Sequence, residues 1–251
     1  MLMAERQKKI LELLRESEFL SIAELCGQMH FSESTLRRDL QKMAHAGLIT
    51  CTRGGAMANS AVSMETPVEL RQEVNHAVKC RIAREAAQLV GDNQILMMDA
   101  STTVMEMIPF LKSKRNLTII TCCLTLAQRV ADELNCTLIC PGGKYHRPTA
   151  SFTGINAISS LSNWFADMMF FSCTAIDPVN GLTDNGDDFA QLKTAMLQQS
   201  KRAILLADSG KFGSTASYRL HLNNISDIVV DYQPILDQDE WKSYRQKMIF
   251  V

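Results

Sequence analysis

Apolar residues near the amino end recur at helical spacing. Ile10, Leu11 and Leu14 fall on one face of a stretch predicted to be helical over residues 4–17. A second helix is predicted to start at Ile22. Ser21 and Glu24 form a capping box in front of it, and Leu20 and Leu25 hold the flanking staple positions. Ile22, Leu25 and Met29 then face inward. A third helix follows a short turn, with Ser32 as its cap and Leu36, Leu40 and Met43 on its apolar face. Beyond it, 47–56 reads as a β-prone run, a Gly-Gly pair and further apolar residues, the pattern of a hairpin wing.

The rest of the chain changes period. Short apolar runs at 95–99, 117–121, 136–140, 168–171, 203–208 and 228–231 alternate with helix-length segments such as 124–134 and 187–200. Apolar strands alternating with helices predict a mostly parallel sheet covered on both faces. Between the two patterns, small and polar residues suggest a linker. Thr66-Pro67-Val68-Glu69 then opens a helix expected to run to about Val90, with Arg71, Asn75 and Lys79 as a stripe along it. The expected division is a winged helix-turn-helix unit over 1–57, a linker over 58–68 and a second domain over 69–251.

With 251 residues, 46% of them hydrophobic, the chain is long enough for two such domains. Its formal net charge is −1. Residues 1–56 hold eight Lys and Arg against seven Asp and Glu, so any hold on nucleic acid depends on where the cations sit. None of the eight cysteines forms a C-x2-C pair. Cys136 and Cys140 read as strand residues pointing to one face, and the thiols are expected to be free, in a cytoplasmic setting. No metal site and no cofactor are expected, and no apolar run is long enough to span a bilayer.

The third helix is where the chemistry begins. Opposite its apolar face lie Ser34, Arg38, Gln41 and His45, flanked by Thr35, Arg37 and Lys42. Hydroxyls, an amide and cations on one helical face suit the base edges and phosphates of duplex DNA. Arg38 is the best candidate for reading bases. Arg37 or Lys42 suits phosphate, and Arg53 at the wing tip can reach a phosphate or the minor groove. Asp39 points sideways and is expected to orient an arginine or cap a neighbour rather than touch DNA.

In parallel sheets ligands bind beyond the carboxyl ends of the strands. After successive strands come Asp99 with Ser101, Thr102 and Thr103, then Thr121, then Gly142 and Gly143, then Asp177, then Lys211. Lys193 lies on the helix predicted over 187–200. Hydroxyls and free amides can hold a phosphate, Lys211 or Lys193 can neutralise it, and Asp99 and Asp177 can accept from sugar hydroxyls.

The opening Arg6-x3-Ile10-x3-Leu14 and the run Ser32-x2-Thr35-Leu36-Arg37-Arg38-Asp39-Leu40 resemble the DeoR family of bacterial transcriptional regulators. The Asp-x-Ser-Thr-Thr loop at Asp99, Thr153-Gly154, Gly181-Leu182-Thr183, Lys193 and Asp208-Ser209-Gly210-Lys211-Phe212 resemble its effector domain. The resemblance implies a C-terminal Rossmann-like α/β domain similar in fold to ribose-5-phosphate isomerase. It also implies a repressor of a carbohydrate operon, with operator DNA and a phosphorylated sugar or related metabolite as partners. A homo-oligomer, dimer or tetramer, is expected, because one helix-turn-helix reads too few base pairs.

Two alternatives stand beside this one. In the first, the chain is a sugar-phosphate isomerase with an accessory DNA domain. The matching isomerases carry a glutamate just before the lysine, where this chain has Leu192. In the second, a constitutive DNA binder uses its second domain only to oligomerise. The chain departs from the family at Cys122, at Ser172-Cys173-Thr174-Ala175, and at Phe189, which implies a less polar effector pocket.

Overall fold

Burial follows the helical periodicity of the first sixty residues closely. In the computed structural model, which describes residues 3–17, 19–45, 49–52, 54–58, 68–220 and 225–251, Ile10, Leu14, Leu25 and Leu36 are fully buried in one small core. Helices α1 (Met3–Ser17), α2 (Ile22–Met29) and α3 (Glu33–His45) surround that core. The capping box that starts α2 is complete. Glu24 N donates to Ser21 Oγ, and Ser21 N donates to Glu24 Oε2 at 2.8 Å. His30 closes α2 in the left-handed conformation, with φ of 56°.

The wing forms from β2 (Ile49–Cys51) and β3 (Gly55–Ala58), which pair antiparallel. A strand that the pattern did not announce, β1 (Phe19–Ser21), adds to the other side of β3. Gly55 permits that pairing, since a Cβ there would lie 2.2 Å from the carbonyl oxygen of Leu20. Arg53, expected at the wing tip, lies outside the described residues, as does most of the expected linker.

The single helix expected over 66–90 is two helices. The turn at Asn75, with φ of 55° and ψ of 28°, separates α4 (Val68–Glu73) from α5 (His76–Gln88). The chain divides into two compact units at the same place, Met1–Val74 and Asn75–Val251, and α4 packs on α1 within the first.

The second unit is built on seven parallel strands, β4 (Ile95–Met98), β5 (Thr118–Ile120), β6 (Thr137–Ile139), β9 (Ala166–Phe171), β12 (Ser200–Ala207), β14 (Asp227–Val230) and β15 (Met248–Phe250). Their order is β15-β14-β12-β9-β4-β5-β6. Side chains alternate between the faces. Met97, Met169, Phe171, Leu205 and Val230 pack with Ala157 and Leu161 of α8 (Ile155–Leu161) and Ala190 and Met196 of α9 (Asp187–Gln198). Leu96, Met98, Phe170, Ile204 and Val229 are buried on the opposite face, where α5 meets β12 and β14. The one-turn helix α6 (Thr102–Met105) and α7 (Leu124–Glu133) follow β4 and β5. Among the described residues no helix is long and apolar enough to cross a membrane.

Two small antiparallel additions stand beyond the main sheet. One is the hairpin β7 (Lys144–His146) and β8 (Ser151–Thr153). The other is β10 (Ala175–Asp177), β11 (Gly181–Asp184) and β13 (Tyr218–Arg219). The tail, less diagnostic in sequence, carries α10 (Lys242–Arg245), β15 and the fully buried Trp241, whose ring lies 5.0 Å from that of Phe212.

Candidate functional site

Two surfaces carry the candidate chemistry, one in each unit. In the first unit, α3 buries Leu36, Leu40 and Met43 and exposes Ser34, Arg37, Arg38, Gln41 and Lys42. Ser32 Oγ stands 2.9 Å from Thr35 Oγ1 and accepts from Thr35 N at 3.4 Å, so the start of the helix is a cluster of hydroxyls. Arg37 reaches back to Glu33, with Nε donating to Oε1 at 2.8 Å. Lys42 Nζ lies 3.3 Å from Met3 Sδ. Arg38 has no ion-pair partner among the described residues. It is thus the cation on this face most available to a ligand.

Asp39 is buried, and both of its oxygens face the guanidinium of Arg6, whose NH2 donates to Oδ1 at 3.2 Å. The Arg6 guanidinium also lies over the Phe31 ring, 4.9 Å from its centre. The expected arginine partner of Asp39 is therefore Arg6, the first residue of the opening motif. The pair fixes α1 against α3 and sets the angle of the exposed face. The hydrogen bond that Arg6 donates to Asp39 raises the Arg6 pKa above its ordinary value.

In the second unit the strand order reverses between β4 and β9. β5 and β6 lie to one side of β4, whereas β9, β12, β14 and β15 lie to the other. Such a switch leaves an open crevice at the carboxyl ends. Asp99 ends β4 there. Its Oδ1 accepts from Ser101 N at 2.9 Å and its Oδ2 from Ser172 N at 3.1 Å. Lys193 Nζ sits 3.5 Å from Asp99 Oδ2 and donates at 2.6 Å both to Asp184 Oδ2 and to the Ser172 carbonyl. Asp184 Oδ1 takes the amide and hydroxyl of Thr174, at 2.8 and 3.0 Å. Burial disfavours the Lys193 ammonium, but Asp184 and Asp99 outweigh it and hold its pKa above the ordinary lysine value.

This network revises the roles expected for Asp99 and Lys193. Both are engaged with each other and with the backbone, so they frame the crevice, and Lys193 has its charge matched by two carboxylates. Lys211 differs. Its Nζ donates to the Cys173 carbonyl, one residue beyond the carbonyl that Lys193 reads, and it has no carboxylate partner among the described residues. Burial pushes the Cys173 thiol up to about 12, so it is a neutral filler behind these carbonyls. Ser172 Oγ is buried with no hydrogen-bond partner among the described residues.

The remaining expected residues spread along the rim. Ser101 caps α6 by accepting from Val104 N at 3.3 Å, while Thr102 and Thr103 are buried. Thr121 is fully buried, its Oγ1 accepting from Cys123 N at 3.1 Å. Gly143 passes close under β8, where a Cβ would sit 2.6 Å from the Thr153 carbonyl oxygen, and Gly142 borders open space. Asp177 is not brought to the Lys193 cluster. It stands at the far end of β10, where Oδ1 accepts from the amides of Asn180 and Val179 and closes the β10–β11 turn. The Asn180 amide is the main cause of its lowered pKa. The expected less polar wall divides, since Cys122 belongs to the core while Phe189 stacks edge-on against His146 at 5.0 Å.

Sequence reasoning passed over Asp184, and it named Ser172 and Thr174 within the stretch after the fourth strand without giving either a ligand role. The first follows the Gly-Leu-Thr turn and the other two follow the fourth expected strand, so position after a strand was the available signal. A cavity of about 350 Å³ also opens at the amino ends of β4, β5 and β6, between Asp92, Lys114 and Asn135. It lies away from the switch point and from every residue expected at the site.

Comparison with known proteins matches both units. Residues 6–62 match the DeoR-like helix-turn-helix domain and residues 74–232 the DeoR C terminal sensor domain. The chain is 33% identical over 252 residues to the uncharacterized HTH-type transcriptional regulator YulB of Bacillus subtilis, covering 100% of this chain and 96% of that one. It is 32% identical over 229 residues to the transcriptional repressor AccR of Agrobacterium fabrum, covering 90% and 89%. A solved ribose 5-phosphate isomerase A from Methanocaldococcus jannaschii overlaps 55% of each chain with a TM-score of 0.40 and 14% identity.

Proposed function

Since the chain belongs to the DeoR family of transcriptional regulators, we propose that it represses a carbohydrate-metabolism operon and is released from its operator by a phosphorylated sugar or related metabolite. It is a regulator and not an enzyme. The observation that carries the reading is the exposed face of α3. Arg38 stands there with no ion-pair partner among the described residues, between Ser34 and Gln41, on a helix fixed by the Arg6–Asp39 pair. Residues 1–57 grip DNA in this reading, 58–68 link, and 69–251 sense and oligomerise. Arg37, Lys42 and Arg53 take phosphates.

The effector sits at the switch point, between the ends of β4 and β9. Lys211 faces the phosphate there, the hydroxyl of Ser101 borders it, and Ser172 Oγ gains the partner it lacks, which a buried hydroxyl requires. Asp99 and Lys193 hold the backbone that shapes this pocket. The protein acts in the cytoplasm as at least a dimer, so that two reading helices cover two half-sites.

The test begins with selection of bound duplexes from a random-sequence pool by the full-length protein. Arg38→Ala should weaken the selected site by about 1–3 kcal/mol, roughly 5- to 150-fold, with the fold intact. Phosphorylated sugars should then release the duplex where the parent sugars do not. Lys211→Ala should blunt release and leave operator affinity unchanged. Operator affinity unchanged by Arg38→Ala sinks the reading of α3, and release by unphosphorylated sugar alone sinks that of the crevice.

A further inference from the structure

The first turn of α5 carries side chains that neither the reading helix nor the crevice uses. His76 and Cys80 lie four residues apart on α5, which stacks them on one face. Glu106, which ends α6, faces them. A ring nitrogen of His76, Nε2, lies 3.6 Å from Cys80 Sγ and 3.6 Å from Glu106 Oε2, and Cys80 Sγ lies 3.8 Å from the same carboxylate oxygen. One imidazole, one thiol and one carboxylate therefore meet with all three donor atoms within 4.8 Å of one another.

The triangle has the size of a coordination face. Bonds of about 2.0–2.3 Å to nitrogen, oxygen and sulfur, at tetrahedral angles, set donor atoms about 3.3–3.6 Å apart. The observed separations are only slightly larger. An ion pair between His76 and Glu106 explains part of the arrangement, and the Cys80 thiol donates to Glu106 Oε2 at a long 3.8 Å, but neither contact requires imidazole, thiol and carboxylate to meet as a triangle. Nor does Glu106 depend on His76 for a counter-charge. Its other oxygen faces Arg129 at 3.8 Å, and Arg129 is itself tied to Glu133 at 3.2 Å. That leaves Oε2 directed at the imidazole and the thiol. The access route is open, since the His76 side chain is 58% exposed while that of Glu106 is 12% exposed.

We propose that His76, Cys80 and Glu106 form a binding site for a divalent transition-metal cation of the Zn²⁺ type, with a fourth position left to solvent. Nitrogen, thiolate and carboxylate together select such an ion over Mg²⁺ or Ca²⁺, which prefer oxygen alone. As the metal–sulfur bond forms, the Cys80 thiol gives its proton to solvent, and thiolate and carboxylate balance the charge of the dication. Arg129 holds the second oxygen of Glu106 and orients the ligand. The metal would tie the first turn of α5 to the end of α6, immediately after the turn at Asn75 where the second unit begins.

The experiment uses the full-length protein, stripped by a chelator and titrated with Co²⁺. Saturation at one equivalent per chain is expected, with a thiolate-to-cobalt charge-transfer band and the visible bands of a four-coordinate ion, both displaced by Zn²⁺. Cys80→Ser should abolish the charge-transfer band. His76→Ala and Glu106→Gln should each weaken Co²⁺ at least about tenfold. Glu106 also contacts Arg129, so if its variant misfolds, His76→Ala on the exposed turn decides the matter alone. No thiolate band in the parent protein overturns the proposal. So does a band of equal strength in Cys80→Ser, because the ion would then sit on other cysteines. Undiminished affinity in His76→Ala does the same.

Discussion

Replacing Asp39 by Asn isolates the contact that ties α3 to α1. The Asp39 side chain is 3% exposed and that of Arg6 12%, so the change leaves a guanidinium that is largely shut off from water facing a neutral amide. Removing one member of a buried pair costs about 3–5 kcal/mol. The Phe31 ring still covers the guanidinium, which favours the lower end, about 3 kcal/mol. For a unit of roughly this size that corresponds to a fall of about 12–24 °C in its unfolding midpoint. Both tryptophans, Trp164 and Trp241, lie in the second unit, so their fluorescence follows that unit alone while circular dichroism follows helices in both. Asp39→Asn should move a dichroism transition and leave the fluorescence transition in place. Arg6→Met with Asp39→Leu removes both charges and should return stability to within about 1 kcal/mol of the parent. A dichroism transition that does not move, or a double variant as unstable as the sum of its parts, would refute a coupled buried pair.

Three further changes test the frame around the two surfaces. Lys193→Met leaves Asp99 and Asp184 without their shared ammonium, and denaturant unfolding followed by fluorescence should lose about 3 kcal/mol; unchanged stability with a lost effector response would make Lys193 a ligand contact instead. Gly55→Ala drives a Cβ into the Leu20 carbonyl and should cost the first unit about 1–3 kcal/mol by circular dichroism, with no cost if β1 and β3 are not paired. Burial lowers the His146 pKa below the ordinary imidazole value of about 6.5, so the unfolded chain takes the proton first as pH falls. The stabilising contribution is thus complete above about pH 6.5 and is lost as pH drops toward the folded-state value, and His146→Gln should flatten that acid limb in fluorescence-detected unfolding.

The helices of the first unit were legible because each carries an apolar stripe and two of them a cap, as with Ser21, Glu24 and Leu25 at the start of α2. The main strands were legible because their runs are apolar on both faces, as in Ile95 to Met98. What escaped were elements held by neighbours rather than by their own pattern. β1 is three residues long and exists because Gly55 lets β3 approach. β7, β8, β10 and β11 are short and mixed in polarity. Asn75 interrupts a stretch with good helical spacing because asparagine tolerates positive φ. Asp99, Ser101 and Lys211 follow strands as the pattern expected, whereas Asp177 falls in a turn away from Lys193, and sequence could not say which groups were already partnered. Asp99 and Lys193 look like ligand groups until Ser172, Asp184 and the adjoining amides are seen around them. His76, Cys80 and Glu106 come together only through the packing of α5 beside α6.

The pairing of β4 with β9 has a bearing on how the polypeptide matures during synthesis. The core shared by α1, α2, α3 and the wing is drawn from residues 10–56, whereas Asp99 must wait for Ser172, 73 positions further on. Chains emerge from the ribosome amino end first, and pairings between distant segments form slowly. The operator-reading unit can therefore be complete on a nascent chain that still lacks the centre of its sensor. The Lys193–Asp99–Asp184 cluster is assembled late, so substitutions there should lower the yield of finished protein more than they alter the grip of chains that do mature.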